Sequence, residues 1–167
     1  MKYTNKPNKI VLVPYPALGH VTPMLTLASA LSNRGLETVV VVPEFIHRRL
    51  STPPGGGRIS CVPIPDGLED GVAHDFFAIE RSMENHMPLQ LEYLVRKLDG
   101  EDHGGKRVAC IVVDLLASWA IGVGYQCGVR VAGFWPAMLS TYQLIADIPH
   151  MVRMGIISET GMHFLGN

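Results

Sequence analysis

Apolar residues along this chain come in two rhythms. Short, largely apolar runs, several rich in β-branched side chains, occupy residues 10–13, 38–42, 59–64, 108–113 and 131–134, the third interrupted by Pro63. A run of that length without polar alternation predicts a strand covered on both faces. Between the runs, apolar positions recur at helical spacing. Met24, Leu25, Leu27, Ala28 and Leu31 predict a helix over 21–34, closed by Asn33-Arg34-Gly35. Residues 45–50 suffice for one or two helical turns. Phe76, Ile79, Met83, Met87, Leu91, Leu94 and Leu98 mark one face of a helical stretch over 75–98. Pro88 is expected to split it, because a mid-helix proline costs about 3 kcal/mol. Further helices are predicted over 118–127, from Pro136 towards Ile145, and over 151–157.

Strands separated mostly by helices imply a doubly wound parallel sheet, a Rossmann-like α/β fold. In the common order 3-2-1-4-5 the first and fourth strands are neighbours at the switch point, where ligands bind beyond the strand ends. Pro14 and Pro16 end the first strand, since neither can donate to a ladder. Gly19 is expected to let the backbone bend and leave room for an approaching group, and Pro23 suits the first turn of the helix that follows. His20 stands between them. The fourth strand ends at Asp114, so this order brings His20 and Asp114 to one crevice. The edge near 131–134 is expected to be open.

Composition narrows the class. The chain has 167 residues, 47% of them apolar and only 17% charged, with a formal net charge of −1. That length suffices for one domain with a core. The near-neutral balance argues against nucleic acid and anionic membranes as partners. Cys61, Cys110 and Cys127 are scattered without metal spacing, as expected of reduced cysteines in a cytoplasmic protein. Residues 1–9 lack the apolar stretch of a signal peptide, and no run reaches membrane-spanning length.

His20 alone reads most simply as a histidine at a helix start, and Asp114 alone as a helix N-terminal partner. Together they form a known chemical unit. A carboxylate bonded to one imidazole nitrogen fixes the tautomer and leaves the other nitrogen to take a proton. Gly122-Val-Gly124-Tyr-Gln-Cys127-Gly128 imitates a dinucleotide fingerprint, which would suit a nicotinamide-dependent reductase. Its last glycine is displaced, however, and it falls inside a predicted helix rather than directly after a strand. Helix packing explains it better. The Gly55-Gly56-Gly57 loop has no Lys-Ser/Thr after it and is not a phosphate loop. The remaining histidines form no metal spacing.

Pro14-Tyr-Pro-Ala-Leu-Gly-His20-Val-Thr-Pro23 resembles the amino-terminal signature of plant UDP-glycosyltransferases, inverting enzymes of the GT-B fold. Pro43-Glu-Phe-Ile-His-Arg-Arg, Cys110-Ile-Val-Val-Asp114-Leu-Leu-Ala-Ser-Trp-Ala and Gly133-Phe-Trp-Pro136 are similar to further stretches of that family. The resemblance covers the whole chain and implies that residues 1–167 are an acceptor-binding domain of Rossmann-like form. It implies His20 as the catalytic base and Asp114 as its partner. Leu18, Gly19, Leu116, Trp135 and Pro136 are the positions it implies for acceptor and sugar contacts, while Met87 lies on the apolar stripe of 76–98, read first as core and second as the lining of an apolar acceptor site.

No metal or resident cofactor is implied. UDP-sugar is expected as co-substrate, and a small apolar molecule bearing a hydroxyl as acceptor. Two residues depart from the family pattern: Leu18 replaces a usually polar residue, and Pro136 follows Trp135 where many relatives have a sugar-contacting threonine. The family's UDP-sugar box lies in a carboxyl-terminal domain with no counterpart here. The chain is therefore expected to be inactive alone, and a non-catalytic ligand- or partner-binding domain is the alternative.

Overall fold

The computed structural model describes residues 9–50, 59–69, 75–100, 107–158 and 160. It divides into two units, Met1–Phe134 and Trp135–Asn167. In the first, β1 (Lys9–Val13), β2 (Glu37–Pro43), β3 (Ile59–Ile64), β4 (Val108–Asp114) and β5 (Val131–Phe134) form one sheet. The order is β3-β2-β1-β4-β5, with every neighbouring pair parallel. This is the order expected from the sequence.

Val11, Leu12 and Val13 are all buried, as are Val39 to Val42. Side chains alternate faces along a strand, so burial of consecutive residues means that both faces are covered. Complete burial of one such aliphatic side chain contributes about 1.5–3 kcal/mol. The cover comes from α1 (Leu18–Ser32), packed against β1, β2 and β3, and from α4 (Met87–Asp99) and α5 (Trp119–Gln126). The short α2 (Glu44–His47) follows β2, and α3 (Phe76–Asn85) packs on α4. The break between α3 and α4 falls at His86, which places Pro88 in the first turn of α4. There its missing N–H costs nothing.

Three expectations are corrected. Helix α1 begins at Leu18, so His20 is already helical and Pro23 lies inside the helix, beyond the first turn. Gly19 is therefore helical and makes no sharp bend, although a Cβ placed there would meet nothing within 4 Å. β3 runs unbroken through Pro63, tolerable because β3 pairs with β2 alone among the described strands. Likewise β5 pairs only with β4.

The turn after β3 is fixed by Asp66, which is buried. Its carboxylate accepts from the Phe45 N–H at 2.9 Å and the Leu68 N–H at 3.0 Å. Its carbonyl accepts from the Ser82 hydroxyl. One residue thus joins the start of α2, the turn and the middle of α3.

The second unit holds α6 (Leu139–Arg153), which replaces the two shorter helices expected from Pro136 and over 151–157. It starts after Pro136 and accommodates Pro149 within its length. None of its side chains is buried.

Candidate active site

β1 and β4 lie side by side with Val13 opposite Val113. The chain leaving β1 and the last residue of β4 therefore emerge at the same edge of the sheet. From β1 it passes through Pro14-Tyr15-Pro16, turns at Ala17 and enters α1, with the His20 N–H bonded to the Ala17 carbonyl at 2.9 Å. From β4 it turns at once, because the Asp114 carboxylate accepts the Leu116 N–H at 3.0 Å and caps a single 3₁₀ turn, Leu115–Ala117.

His20 and Asp114 meet across this gap. His20 Nδ1 lies 2.7 Å from Asp114 Oδ2, while Oδ1 of the same carboxylate holds the turn. Asp114 is fully buried, and the His20 side chain is 23% exposed. A buried carboxylate needs a donor, and this one has two. With Asp114 ionised, Nδ1 carries the proton in the pair and Nε2 is the nitrogen left to accept one. The partly exposed imidazole makes that transfer physically accessible. The ring of Tyr15 stands edge to face against that of His20, with centroids 5.2 Å apart.

The other positions singled out in the sequence separate into three groups. Leu18 and Gly19 precede His20 in the same helical turn, and Leu116 follows Asp114 by two residues; all three are exposed. Met87 is 1% exposed and belongs to the hydrophobic core, so it offers no surface to a ligand. Its position on the apolar face of α4 explains this, since that face is turned to the sheet. Trp135 and Pro136 belong to the second unit. There the Trp135 indole N–H donates to the Met138 carbonyl at 3.0 Å, and its ring meets Tyr142.

Gly122 and Gly124 of the imitation fingerprint lie inside α5, and Gly128 follows the helix with a φ of 66°. A Cβ on Gly124 would come within 2.3 Å of Val131 Cγ2, so this glycine lets the helix sit close on β5. It serves packing and not a dinucleotide. The Gly55-Gly56-Gly57 loop lies outside the described residues. Among the described residues no group of three or more His, Cys, Asp or Glu is placed to hold a metal ion. No described helix is long and apolar enough to cross a membrane.

Tyr15 and Asp66 did not stand out in the sequence as site or core residues. Tyr15 had one signal, its place between two prolines just ahead of a Gly-His pair. Asp66 had only its turn-forming company, Pro65 and Gly67.

No protein-family model matches the chain. UDP-glycosyltransferase 82A1 of Arabidopsis thaliana is 54% identical over 163 residues, covering 96% of this chain and 34% of that protein. The chain is a homologue of part of a plant UDP-glycosyltransferase. UDP-glycosyltransferase 83A1 of the same plant is 32% identical over 162 residues, covering 91% of this chain and 35% of that protein. The chain thus spans about a third of the length of these curated glycosyltransferase relatives.

Among solved structures, Os79 from O. sativa, crystallised with U2F and trichothecene, superposes with a TM-score of 0.71 at 23% identity. The match covers 89% of this chain and 37% of that glycosyltransferase. At that identity it speaks for the fold, a five-stranded parallel sheet matching the amino-terminal domain of the GT-B glycosyltransferases.

Proposed function

We propose that this chain is the acceptor-binding part of a UDP-sugar-dependent glycosyltransferase, with His20 as its general base. The observation that carries the reading is the bond between His20 Nδ1 and the buried Asp114 Oδ2, set at the switch point of a sheet whose relatives are UDP-glycosyltransferases. A lone histidine at a helix start has no need of a buried carboxylate behind it.

In the reaction, Nε2 of His20 takes the proton from a hydroxyl of a small acceptor. The acceptor oxygen forms a bond to the anomeric carbon of the sugar as the bond from that carbon to UDP breaks. UDP leaves with the electron pair, and attack from the opposite face inverts the configuration. Asp114 offsets the charge of the transient imidazolium and keeps the ring in the tautomer that presents Nε2. Leu18, Gly19 and Leu116, exposed beside the pair, are the acceptor contacts of this reading. Trp135 and Pro136 remain candidate sugar contacts. The UDP moiety is assigned to the region of the relatives that this chain does not span, where backbone amides and a helix terminus would offset its charge.

The test supplies that region. This chain is joined or mixed with the remaining two-thirds of the Arabidopsis 82A1 relative, and UDP-sugar consumption is followed with a panel of small hydroxyl-bearing acceptors. The expected result is transfer by the assembly with an inverted anomeric product, and none by the 167-residue chain alone. Transfer by the lone chain, or a product of retained configuration, would overturn the reading.

A further inference from the structure

We propose that Tyr15 is a positioning residue whose ring braces the imidazole of His20 and fixes the direction in which Nε2 faces. The proposal rests on the reading of His20 as a base, and adds a residue to it. The 2.7 Å bond from Nδ1 to Asp114 holds the ring at one point only. A combined change of the two His20 side-chain torsions leaves the length of that bond nearly unchanged while swinging Nε2 out of line with a reactant. A second contact, away from Nδ1, is what stops the swing. Tyr15 supplies it: the two rings meet at an interplanar angle of 61°, the edge-to-face arrangement that aromatic pairs prefer.

A brace works only if it is itself held. Tyr15 follows Pro14, whose own φ is fixed, and precedes Pro16, which restricts the Tyr15 backbone to extended geometry. Its carbonyl accepts the Ala17 N–H at 2.7 Å, closing a tight turn directly before α1. The ring therefore approaches His20 from a segment with little freedom of its own. Burial first, then Glu80 and Asp114, push the Tyr15 phenol above its ordinary range. It stays uncharged through neutral pH and adds no anion beside the imidazole.

The experiment is nuclear magnetic resonance of the 167-residue chain with ¹⁵N-labelled histidine. In the unaltered chain the Tyr15 and His20 ring protons should show a direct Overhauser contact, and His20 a single neutral tautomer protonated at Nδ1. Tyr15→Phe keeps the ring and should reproduce that spectrum. Tyr15→Leu should broaden or average the His20 ring signals, while the Phe45 and Leu68 amides held by Asp66 stay protected and report an intact fold. In the active assembly Tyr15→Leu should lower kcat by about 3- to 10-fold, with KM for the acceptor little changed and Tyr15→Phe near the unaltered value.

An unaltered His20 spectrum in a folded Tyr15→Leu chain would overturn the proposal. Should Tyr15→Leu not fold, the absence of ring contact in the unaltered chain would overturn it as well. Either result leaves the base reading standing. An assembly still active with His20→Ala removes the base reading without touching the ring contact.

Discussion

The two oxygens of Asp114 are divided between two tasks, one closing the turn after β4 and the other holding His20. That division ties Nδ1 of the imidazole to the backbone geometry of a strand end, and leaves the swing of the ring to be limited by Tyr15. Asp66, also buried, does comparable work for α2 and α3 without any part in the site. Burial shapes the thiols differently. It pushes Cys61, Cys110 and Cys127 above their ordinary range, opposed at Cys110 by the Ala132 backbone and Arg130, and at Cys127 by Arg96. A raised thiol gives a stability contribution that is present below the ordinary thiol range, about 8.5, and is lost as pH rises through and beyond it. The thiolate is also the reactive form. An aromatic disulfide reagent at neutral pH should therefore modify the folded chain more slowly than the urea-unfolded chain. Equal rates would show that burial does not govern these thiols.

At the scale of elements, sequence pattern located the central strands because burial on both faces demands continuous apolar runs, whereas the runs of β3 and β5 form partly exposed strands at the ends of the described sheet. It located the α3–α4 break because a proline inside a helix removes a backbone hydrogen bond and disfavours an unbroken run at Pro88. The meeting of His20 and Asp114 was legible too, through strand order alone. Other features were not. The start of α1 at Leu18 is hidden because Ala17 caps it with no side-chain bond, so the usual Ser, Thr, Asp or Asn signal is missing. Helix α6 runs on through Pro149, which a propensity argument reads as a boundary. Met87 looked like a ligand contact only because an apolar helix face has the same spacing whether it meets a core or a pocket. Tyr15 escaped notice because ring contacts leave no periodic trace.

The glycine pattern in α5 carries a prediction at this same scale. Gly124→Ala should destabilise the fold by about 1–3 kcal/mol, since the added methyl meets Val131 where helix and strand approach. Val131→Ala should recover part of that loss in the double variant. Strictly additive effects, read from denaturant midpoints, would mean that the two residues do not share the space.

For the whole molecule, the central fact is that the His20–Asp114 pair, at the switch point of a parallel sheet, is formed within a chain spanning about a third of its glycosyltransferase relatives. An acceptor-side base and a donor site on separate parts of a longer architecture would explain why the pair is fully formed within these residues. The most direct measurement is the turnover of the assembly built with the remainder of the Arabidopsis 82A1 relative, comparing unaltered, His20→Ala and Asp114→Asn chains. Removing a general base costs about 10²–10⁴-fold. The account predicts a kcat loss in that range for His20→Ala, and a fall in kcat for Asp114→Asn with the acceptor KM little changed. An assembly in which His20→Ala turns over as fast as the unaltered chain would contradict it.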